Sequence, residues 1–484
     1  MSPLSEVDAA AGRRAQTEPV GDLAIVLHSH MPYVEGYGTY PFGEEWLFDA
    51  IIRSYLPLLD ALDGVTMTVT PVLADQLEHP EVIDRARRFL VESRIGWAEA
   101  DAHDADEELR EPARHAAERH RRALERLDGE PGGLLEALGR RQEQGRVQLM
   151  ASAATHAVLP LLATRAGVRL QLDVGARSHR RRFGPATGLW LPECAYAPGI
   201  ERLVAEAGYT HFCVDQSAHE DPLDALAPVR TVAGPTALTI DWETVSRVWS
   251  WEGYPSDPAY NEFHRTSWRG TRLWSSGGEP YDPEAAARRV QAHASEFLDA
   301  VARKLARYRA ERGVDGLVVC ALDTELLGHW WTEGPQWLEA VLAGAPERGI
   351  ETVTLEQALA RHEPVDRPLA PSTWGEDKNF ETWDSPAVGD LVAGVRRLEL
   401  RVTHALATGR LEGEAAERAV RELLAVQASD WAFLDNRGKA GDYPWHRVLG
   451  HSEALLDALE SRGPAASRVR NLAPDLRLAP LLTP

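Results

Sequence analysis

The sequence predicts an α/β protein, namely a (β/α) barrel that carries an inserted helical hairpin and continues into a C-terminal α-helical domain. Three observations predict it. Short apolar runs alternate with helical patterns up to about residue 360. A strongly charged helical stretch interrupts them at about 81–145, and apolar spacings of three and four residues recur from about residue 386 onward. The 484 residues suit a barrel of about 250 residues with insertions and an appended domain.

The barrel prediction depends on seven apolar runs with the length of buried strands. In chain order they are Leu23–Leu27, Val65–Thr70, Val147–Ala151, Thr187–Leu191, Thr210–Val214, Leu238–Asp241 and Leu317–Leu322. Glu351–Thr354 is a candidate eighth. The runs alone therefore leave the number of barrel strands open.

Composition and apolar spacing predict how the chain divides into a tail, a barrel and a helical domain. Residues 1–21 lack an apolar core of signal-peptide length and are predicted to be a flexible tail. Residues 22–360 are predicted to form the barrel, and the hairpin within it should break at 129–133, where glycine and proline cluster. Residues 361–484 are predicted to form the helical domain, on the spacing in Leu391–Leu406, Ala415–Phe433 and Val448–Leu459.

Charge and cysteine usage narrow the class of protein. Fifty-two basic against 74 acidic residues give a net charge of −22, which disfavours binding to nucleic acid and to anionic membranes. No segment reaches the length of a membrane span. Cys194, Cys213 and Cys320 lie in or beside predicted strands, so we expect buried reduced thiols and a cytoplasmic location.

Two carboxylates stand at the ends of apolar runs. Pro192 ends the run Thr187–Leu191 just before Glu193, and the run Leu317–Leu322 leads directly into Asp323. Active sites of barrels lie at the carboxyl ends of their strands. A rim salt bridge is the structural alternative for Glu193 alone. Two strand-end acids near tryptophans suit glycosidic bond cleavage, where one acid protonates the leaving oxygen and one carboxylate meets an oxocarbenium-like centre.

Five segments, taken in order, resemble a known family. They are Leu27–Val34 followed by Tyr40–Trp46, Thr155–Pro160, Gly188–Tyr196, Leu317–Trp331, and the region of Trp374 and Trp383. On these segments the chain resembles glycoside hydrolase family 57, and within it the 1,4-α-glucan branching enzymes, from about Asp22 to about Trp445. The family's frequent His-Gln-Pro reads His30-Met31-Pro32 here. The resemblance implies a distorted barrel of seven strands.

The resemblance also implies a retaining double displacement, with Glu193 as the nucleophile and Asp323 as the general acid and base. In such a site the two carboxyl groups lie roughly 5 to 5.5 Å apart. Glu325 competes with Asp323, because two residues further along a continuing strand it would share the same face. The residues alone leave a swapped role open, and the family pattern favours Asp323.

The histidines raise a metal alternative. His28 and His30 would point to one face of a strand, and a zinc site would need about three converging protein ligands, for which His156, Asp215, Asp323 and His329 are candidates. The resembled family uses these histidines without a metal, so we expect no metal and no cofactor. The expected substrate-binding residues are His28, His30, Tyr40, His156, Tyr254, Trp274, His329, Trp374 and Trp383.

Hydrolysis and transfer share the glycosyl-enzyme intermediate and differ in what attacks it, so transfer requires that water be excluded. The segment Trp242–Trp274 is rich in tryptophan, glycine and proline and is a candidate lid. In the branching subgroup such a loop carries a tyrosine needed for transfer; Tyr254 is the candidate, with Tyr260 behind it. The alternative for about half of these aromatics is simple packing of the loop onto the barrel.

The expected activity is cleavage of an α-1,4 glucan and transfer of the segment to a 6-hydroxyl, which forms an α-1,6 branch. The alternatives are an α-amylase or a 4-α-glucanotransferase of the same family, and a noncatalytic glucan-binding protein. The expected partner is an α-glucan, either amylose, a glycogen-like polymer or a modified glucan. The sequence leaves the oligomeric state and the transferred chain length undetermined.

Overall fold

The computed structural model describes residues 19–39, 42–460 and 471–482, and within them ten β-strands. The strands are β1 Gly21–Ser29, β2 Val65–Val69, β3 Val147–Ser152, β4 Gly188–Trp190, β5 His211–Val214, β6 Val229–Arg230, β7 Thr236–Thr239, β8 Leu317–Asp323, β9 Ile350–Thr352 and β10 Val365–Asp366. Seven of them coincide with the predicted apolar runs. β6 and β10, of two residues each, were not predicted.

Those seven strands form a closed, parallel ring in the order β8-β1-β2-β3-β4-β5-β7. The ring closes through one bridge, in which Ile240, just after β7, pairs with Val319 of β8. β9 pairs with β1 outside the ring, so the candidate eighth run forms a strand that does not belong to the barrel. The seven-stranded distorted barrel is confirmed.

Seventeen α-helices lie in the described residues. They are α1 Glu44–Ala50, α2 Leu56–Leu58, α3 Pro71–Glu78, α4 Pro80–Phe89, α5 Gly96–Asp104, α6 Glu107–Gly129, α7 Gly133–Glu143, α8 Arg165–Phe183, α9 Ile200–Glu206, α10 Trp242–Trp249, α11 Pro283–Arg312, α12 Gly334–Gly344, α13 Leu355–Arg361, α14 Gly389–Ala407, α15 Gly413–Val426, α16 Ser429–Asn436 and α17 Tyr443–Leu459. π-helical turns at Ile51–Tyr55 and Leu90–Ile95 join α1 to α2 and α4 to α5.

Local chemistry explains these boundaries. β8 begins Leu-Val-Val-Cys-Ala, and an apolar run without polar alternation suits a parallel strand that is buried on both faces. The long helix α11 begins where the side chain of Asp282 accepts hydrogen bonds from the amides of Glu284 and Ala285, with Pro283 at its first position. It ends at Gly313, whose φ of 74° suits a residue without a Cβ.

The inserted hairpin is helical, as predicted. It comprises α4 to α7, with the long α6 packed against α5. α6 ends at Gly129 and α7 begins at Gly133, so the chain breaks where glycine and proline cluster. None of the helices in residues 19–39, 42–460 and 471–482 has both the length and the apolar composition that crossing a bilayer requires.

The C-terminal helices α14 to α17 pack onto the barrel. One apolar cluster combines Leu423, Leu424 and Trp431 of these helices with Ala154 and Ala195, which follow β3 and β4. This contact brings the first residues of α16 to the carboxyl ends of the barrel strands. The predicted domain boundaries stay predictions, and most of the predicted N-terminal tail lies outside the described residues. The three cysteines are buried and free.

Candidate active site

Two strands of the ring end in the carboxylates that the sequence singled out. Pro192 ends the pairing of β4, and Glu193 follows it in the left-handed region, with φ 59° and ψ 20°. Asp323 is the last residue of β8, where it lies opposite His28 of β1. The two residues therefore meet at the same end of the barrel, and Asp323 lies close enough for its charge to act on Glu193.

At the carboxyl ends of the barrel strands, two residues of the site have an uncommon backbone conformation. Glu193 and His156 both have φ 59°, a value that few residues other than glycine adopt. Hydrogen bonds from elsewhere in the chain fix both positions. The amide of Trp374 donates to the carbonyl of Glu193 at 2.7 Å, and the amide of Ser429 donates to the carbonyl of His156 at 3.2 Å.

A chain of hydrogen bonds ends on Glu193. Ser429 Oγ donates to Glu193 Oε1 at 2.7 Å, and the same hydroxyl lies 2.9 Å from His156 Nδ1. His156 Nε2 lies 2.9 Å from His28 Nε2, and His28 Nδ1 lies 2.6 Å from the hydroxyl of Thr68. We call this chain, from Thr68 through His28, His156 and Ser429 to Glu193, the histidine relay.

The direction of the relay follows from its last bond. Because the Ser429 hydroxyl donates to Glu193, it must accept from His156, which then carries its proton on Nδ1. His156 Nε2 is then an acceptor, so His28 donates from Nε2 and accepts from Thr68. Each bond thus directs a donor towards Glu193. This arrangement stabilises the ionised carboxylate.

Both relay histidines are neutral in this arrangement, and their surroundings favour that state. Burial, with a smaller contribution from the charge of His30, lowers the pKa of His28 well below its ordinary value. Burial and His30 likewise lower the pKa of His156. The fully buried Trp190 stacks on His28 with ring centroids 4.6 Å apart. The relay therefore directs a hydrogen-bond donor towards Glu193 without placing a positive charge beside it.

The two strand-end carboxyl groups titrate above their ordinary ranges. Burial raises the pKa of Glu193 to about 8; the Ser429 hydrogen bond opposes this, and the charges of Asp430 and Asp323 reinforce it. Burial raises the pKa of Asp323 to about 6, against the lowering effect of His30. Near neutral pH the pair therefore holds one proton, which these values place on Glu193, whereas an ionised nucleophile needs it on Asp323. The donors of the relay act in that second direction, because they favour the ionised form of Glu193.

Glu325, the competitor of Asp323, has different surroundings. Its Oε1 accepts hydrogen bonds from the Tyr55 hydroxyl and, at 3.2 Å, from the amide of His30. Burial raises its pKa to about 8, with the Tyr55 hydrogen bond opposing the rise. Tyr55 belongs to the π-helical turn that follows α1. Glu325 is thus engaged with the barrel wall, whereas Asp323 has no side-chain hydrogen bond among the described residues.

His30 lies beside the relay and hydrogen-bonds to an acid outside it. Its Nε2 lies 2.9 Å from Asp430 Oδ2, its Nδ1 lies 3.0 Å from the Thr70 hydroxyl, and its ring stacks on His156 at 4.1 Å. His30, His156 and Asp430 offer ligand atoms within 4.8 Å of one another, so they could hold a cation. Both nitrogens of His156 already bind side chains, and a cation there would break the relay.

Dialysis against EDTA is therefore expected to leave activity on amylose unchanged. A cation at His156 would cost the hydrogen bonds that polarise Glu193, so the relay is competent only without one. Metal content measured before and after dialysis supplies the control. Activity that falls with the metal content and returns with Zn²⁺ would show that the zinc alternative is right.

Of the predicted aromatic residues, the structure brings Trp374 to the site. Trp374 lies edge-on to Trp190 at 5.0 Å, beside the backbone of Glu193. Trp383 is buried in the apolar cluster of the C-terminal helices. Trp331 is buried and Trp330 is half exposed, so only one of these neighbours is open to solvent. Tyr40 lies outside the described residues.

Three further predicted residues lie in other surroundings. Tyr254 stacks on His293 at 4.3 Å and packs near Trp337 in the core cluster, and within the described part of the chain no hydrogen bond or ring contact joins it to either carboxylate. Trp274 carries the guanidinium of Arg265 on its ring at 4.1 Å. The ring of His329, whose Nδ1 is buried, lies near Asp49 and Arg272, and burial lowers its pKa to about 3.

Sequence reasoning missed Ser429, Asp430 and Tyr55 as site residues. Ser429 and Asp430 begin α16, 236 and 237 positions after Glu193, and Tyr55 lies in a helical pattern among apolar residues. The one local signal is the polar Ser-Asp pair directly before the buried Trp431. A polar pair at a helix start ordinarily indicates a cap, so the signal points to local structure.

Comparisons with known proteins agree with this geometry. The family model "Glycosyl hydrolase family 57" matches residues 24–371, and the model "1,4-alpha-glucan branching enzyme, C-terminal" matches residues 392–473. The chain is 33% identical to the 1,4-alpha-glucan branching enzyme TK1436 of Thermococcus kodakarensis, over 89% of this chain and 72% of that protein. It is 33% identical to the probable 1,4-alpha-glucan branching enzyme Rv3031 of Mycobacterium tuberculosis, over 90% and 91%.

Solved structures give the same result. A GH57-type branching enzyme from Pyrococcus horikoshii superposes with a TM-score of 0.88 at 30% identity, over 96% of this chain and 97% of that one. The α-amylase AmyC from Thermotoga maritima shares the fold, with a TM-score of 0.83 at 24% identity over 96% and 99%. On the extent of the family match and these relatives, the chain belongs to glycosyl hydrolase family 57.

Proposed function

We propose that the chain is a 1,4-α-glucan branching enzyme, which cleaves an α-1,4 linkage and transfers the segment to a 6-hydroxyl. The observation that carries the proposal is that the chain matches proteins named as branching enzymes over about nine-tenths of its length, including a branching-enzyme model over its C-terminal helices. The paired strand-end carboxylates and the histidine relay supply groups suited to this chemistry.

In the proposed mechanism, Glu193 attacks the anomeric carbon and forms a covalent glycosyl-enzyme. Asp323 gives its proton to the departing 4-oxygen at the same time. In the second half, the Asp323 carboxylate takes the proton of the acceptor's 6-hydroxyl, whose oxygen attacks the anomeric carbon and releases Glu193. The relay supports the first half because it favours the ionised form of Glu193. The two displacements together retain the anomeric configuration.

Ser429→Ala is expected to lower kcat roughly 10- to 100-fold, because a hydrogen bond to a charged group is worth about 1.5–3 kcal/mol. Ser429 is a positioning residue, because it acts through Glu193. Its loss also removes the hydrogen bond between its hydroxyl and Nδ1 of His156. The upper limb of the pH profile, which lies near the pKa of Glu193, should move upward, since the ionised carboxylate loses a donor. Ser429→Thr keeps a hydroxyl and should restore most of the activity; equal losses in both variants would contradict the role.

The pH dependence of kcat/KM is expected to be bell-shaped, with limbs near pH 6 and pH 8. Below the lower value both carboxyl groups are protonated, so no carboxylate is left to attack. Above the upper value both are ionised, so none protonates the leaving oxygen. Initial rates on amylose in buffers of constant ionic strength measure it. A lower limb near pH 4, the range of an ordinary carboxyl group, would contradict the burial argument.

The proposed activity is tested by incubating the protein with amylose and measuring new α-1,6 linkages by proton NMR. Debranching the product and counting the released chains gives an independent measure. New branches without a matching rise in reducing ends support branching. Reducing ends without branches would identify an α-amylase, and longer or shorter unbranched chains a 4-α-glucanotransferase. Binding without any change in the polymer would identify the noncatalytic alternative.

The physiological glucan and the location of the enzyme are part of the proposal. A glycogen-like polymer is the proposed acceptor, since branching raises the number of chain ends. A cytoplasmic location is supported by three buried cysteines that carry no disulfide. Comparing branching rates on amylose and on linear modified glucans of matched length would separate the candidate substrates.

A further inference from the structure

A second cluster of charged side chains lies behind the wall that carries Glu325. It consists of four arginines, Arg53, Arg94, Arg119 and Arg272, together with two histidines, His120 and His329. We call it the arginine cluster. Arg53 lies on the π-helical turn after α1, Arg94 on the π-helical turn after α4, and Arg119 and His120 on α6. Arg272 joins them by donating to the carbonyl of His329 at 2.8 Å.

The acidic groups facing the cluster are fewer than its arginines. Asp49 accepts from Arg53 Nε at 3.0 Å and from Arg94 Nε at 2.9 Å. Glu45 accepts from Arg94 at 2.7 Å, and Glu333 lies near Arg119 while accepting from the Tyr281 hydroxyl. Four guanidinium groups thus face three carboxylates, which leaves at least one guanidinium without a carboxylate. The Arg272 guanidinium lies over the Phe263 ring, 4.3 Å from its centroid, which offsets its charge only in part.

That excess charge is enclosed by protein. Arg53, Arg94 and Arg272 are each 7% exposed, and His120 is 3% exposed. Burial, followed by the charge of Arg53, lowers the pKa of the Arg272 guanidinium well below its ordinary value. An unpaired buried charge is costly, so a cluster of this composition favours a counter-ion.

Buried donors without a partner occur in this cluster. Arg53 Nη1, both ring nitrogens of His120 and Nδ1 of His329 are buried and have no hydrogen-bond partner among residues 19–39, 42–460 and 471–482. Burial lowers the pKa of His120, helped by the charge of Arg53. A neutral ring carries one N–H, so each histidine can offer a donor without adding charge.

We propose that the arginine cluster is a binding site for a small inorganic anion of the size of chloride. An anion is required by the charge excess and by the unpartnered donors, and a small one by the enclosure of the cluster. Arg119 and His329 are partly exposed, which marks the side from which an ion would enter. The site is separate from the carboxylates, since neither Glu193 nor Asp323 hydrogen-bonds to any of its members among the described residues.

The position of the cluster gives the ion a structural role. Arg53, Ser54 and Tyr55 are consecutive on one π-helical turn. Arg53 faces the cluster, the Ser54 hydroxyl accepts from the amide of His329 at 3.1 Å, and Tyr55 donates to Glu325. A bound anion would therefore stabilise this turn at Arg53, and the same turn positions Glu325 through Tyr55.

The test compares thermal unfolding of the full chain in sodium chloride and in sodium gluconate at equal ionic strength. Chloride should raise Tm saturably, by roughly 2 °C more than gluconate. Coincident curves in the two salts would overturn the proposal. This measurement does not use enzymatic activity, so it stands apart from the branching assay.

Two variants and a control locate the effect. His120→Leu removes two unpartnered nitrogens without breaking any hydrogen bond of the described residues, and Arg53→Gln removes a charge; both should lose the chloride-specific rise in Tm. Arg87→Gln breaks an exposed ion pair with Asp128 on the same insertion and should keep it. The full rise in both cluster variants would overturn the proposal.

A crystal of the unaltered protein grown in sodium bromide gives a test that needs no variant. An anomalous difference peak beside Arg53 Nη1 and His120 is expected. Bromide peaks at surface positions alone, with none inside the cluster, would overturn the proposal even if the variants failed to fold.

Discussion

Glu193→Ala is expected to lower kcat on amylose by about 10⁴-fold or more, because the variant has no group to form the glycosyl-enzyme. Tm should change far less than activity, since the Glu193 side chain is bound by one hydroxyl and packs at the surface of the pocket. Initial rates and a thermal melt on the same preparation measure both. A variant that still turned over glucan at a tenth of the original rate would overturn the assignment of the nucleophile.

Azide sharpens this experiment. In Glu193→Ala the space left by the carboxylate admits azide, which attacks the anomeric carbon directly. One displacement inverts the configuration, so an α-linked substrate with an activated leaving group should give a β-glycosyl azide. A product of α configuration would mean that Glu193 is not the nucleophile. Glu206→Ala, which removes an exposed glutamate paired with Arg169, is the matched control and should behave like the original protein.

Asp323→Asn should lower kcat/KM on amylose by roughly 10³- to 10⁴-fold, because asparagine cannot protonate the leaving 4-oxygen. The loss should be much smaller for the first step on an α-glycosyl fluoride, whose leaving group needs no proton. The glycosyl-enzyme should then accumulate, since the acceptor hydroxyl has lost its base. Stopped-flow release of fluoride, seen as a burst followed by slow turnover, measures this.

Glu325→Gln is the matched variant that decides between the two neighbouring acids. It keeps an oxygen for Tyr55 and for the amide of His30, so the wall should stay intact. A loss below about 100-fold is expected, with no burst on the fluoride. A burst in Glu325→Gln and none in Asp323→Asn would reverse the roles of Asp323 and Glu325.

The sequence predicted the barrel well because its signal is local. Each ring strand is a short apolar run, and burial on both faces makes such runs stand out against charged helices. The number of barrel strands came from the resemblance and not from the apolar runs. Ile350–Thr352 has the same local character as a barrel strand, although it pairs with β1 outside the ring. Whether a strand pairs inside or outside the ring depends on its contacts with β1. The sequence of one apolar run does not predict those contacts.

The carboxylates were found for a related reason, since a strand ends where the apolar pattern stops. Ser429 and Asp430 were missed because their role depends on packing between α16 and residues near β3 and β4, more than two hundred positions earlier. Tyr254 shows the opposite effect. Its aromatic, proline-rich surroundings favoured a lid, but burial of apolar rings against Trp337 and His293 places it in the core.

The position of Ser429 bears on how this fold can be recombined. The nucleophile comes from the barrel, and its donor comes from a helix that follows the barrel in the chain. A chimera that joins this barrel to the helices of a distant relative would retain Glu193 and lose the end of the relay unless the incoming helix also began with serine. The two parts are therefore coupled through this hydrogen bond, and an exchange of either part must preserve it.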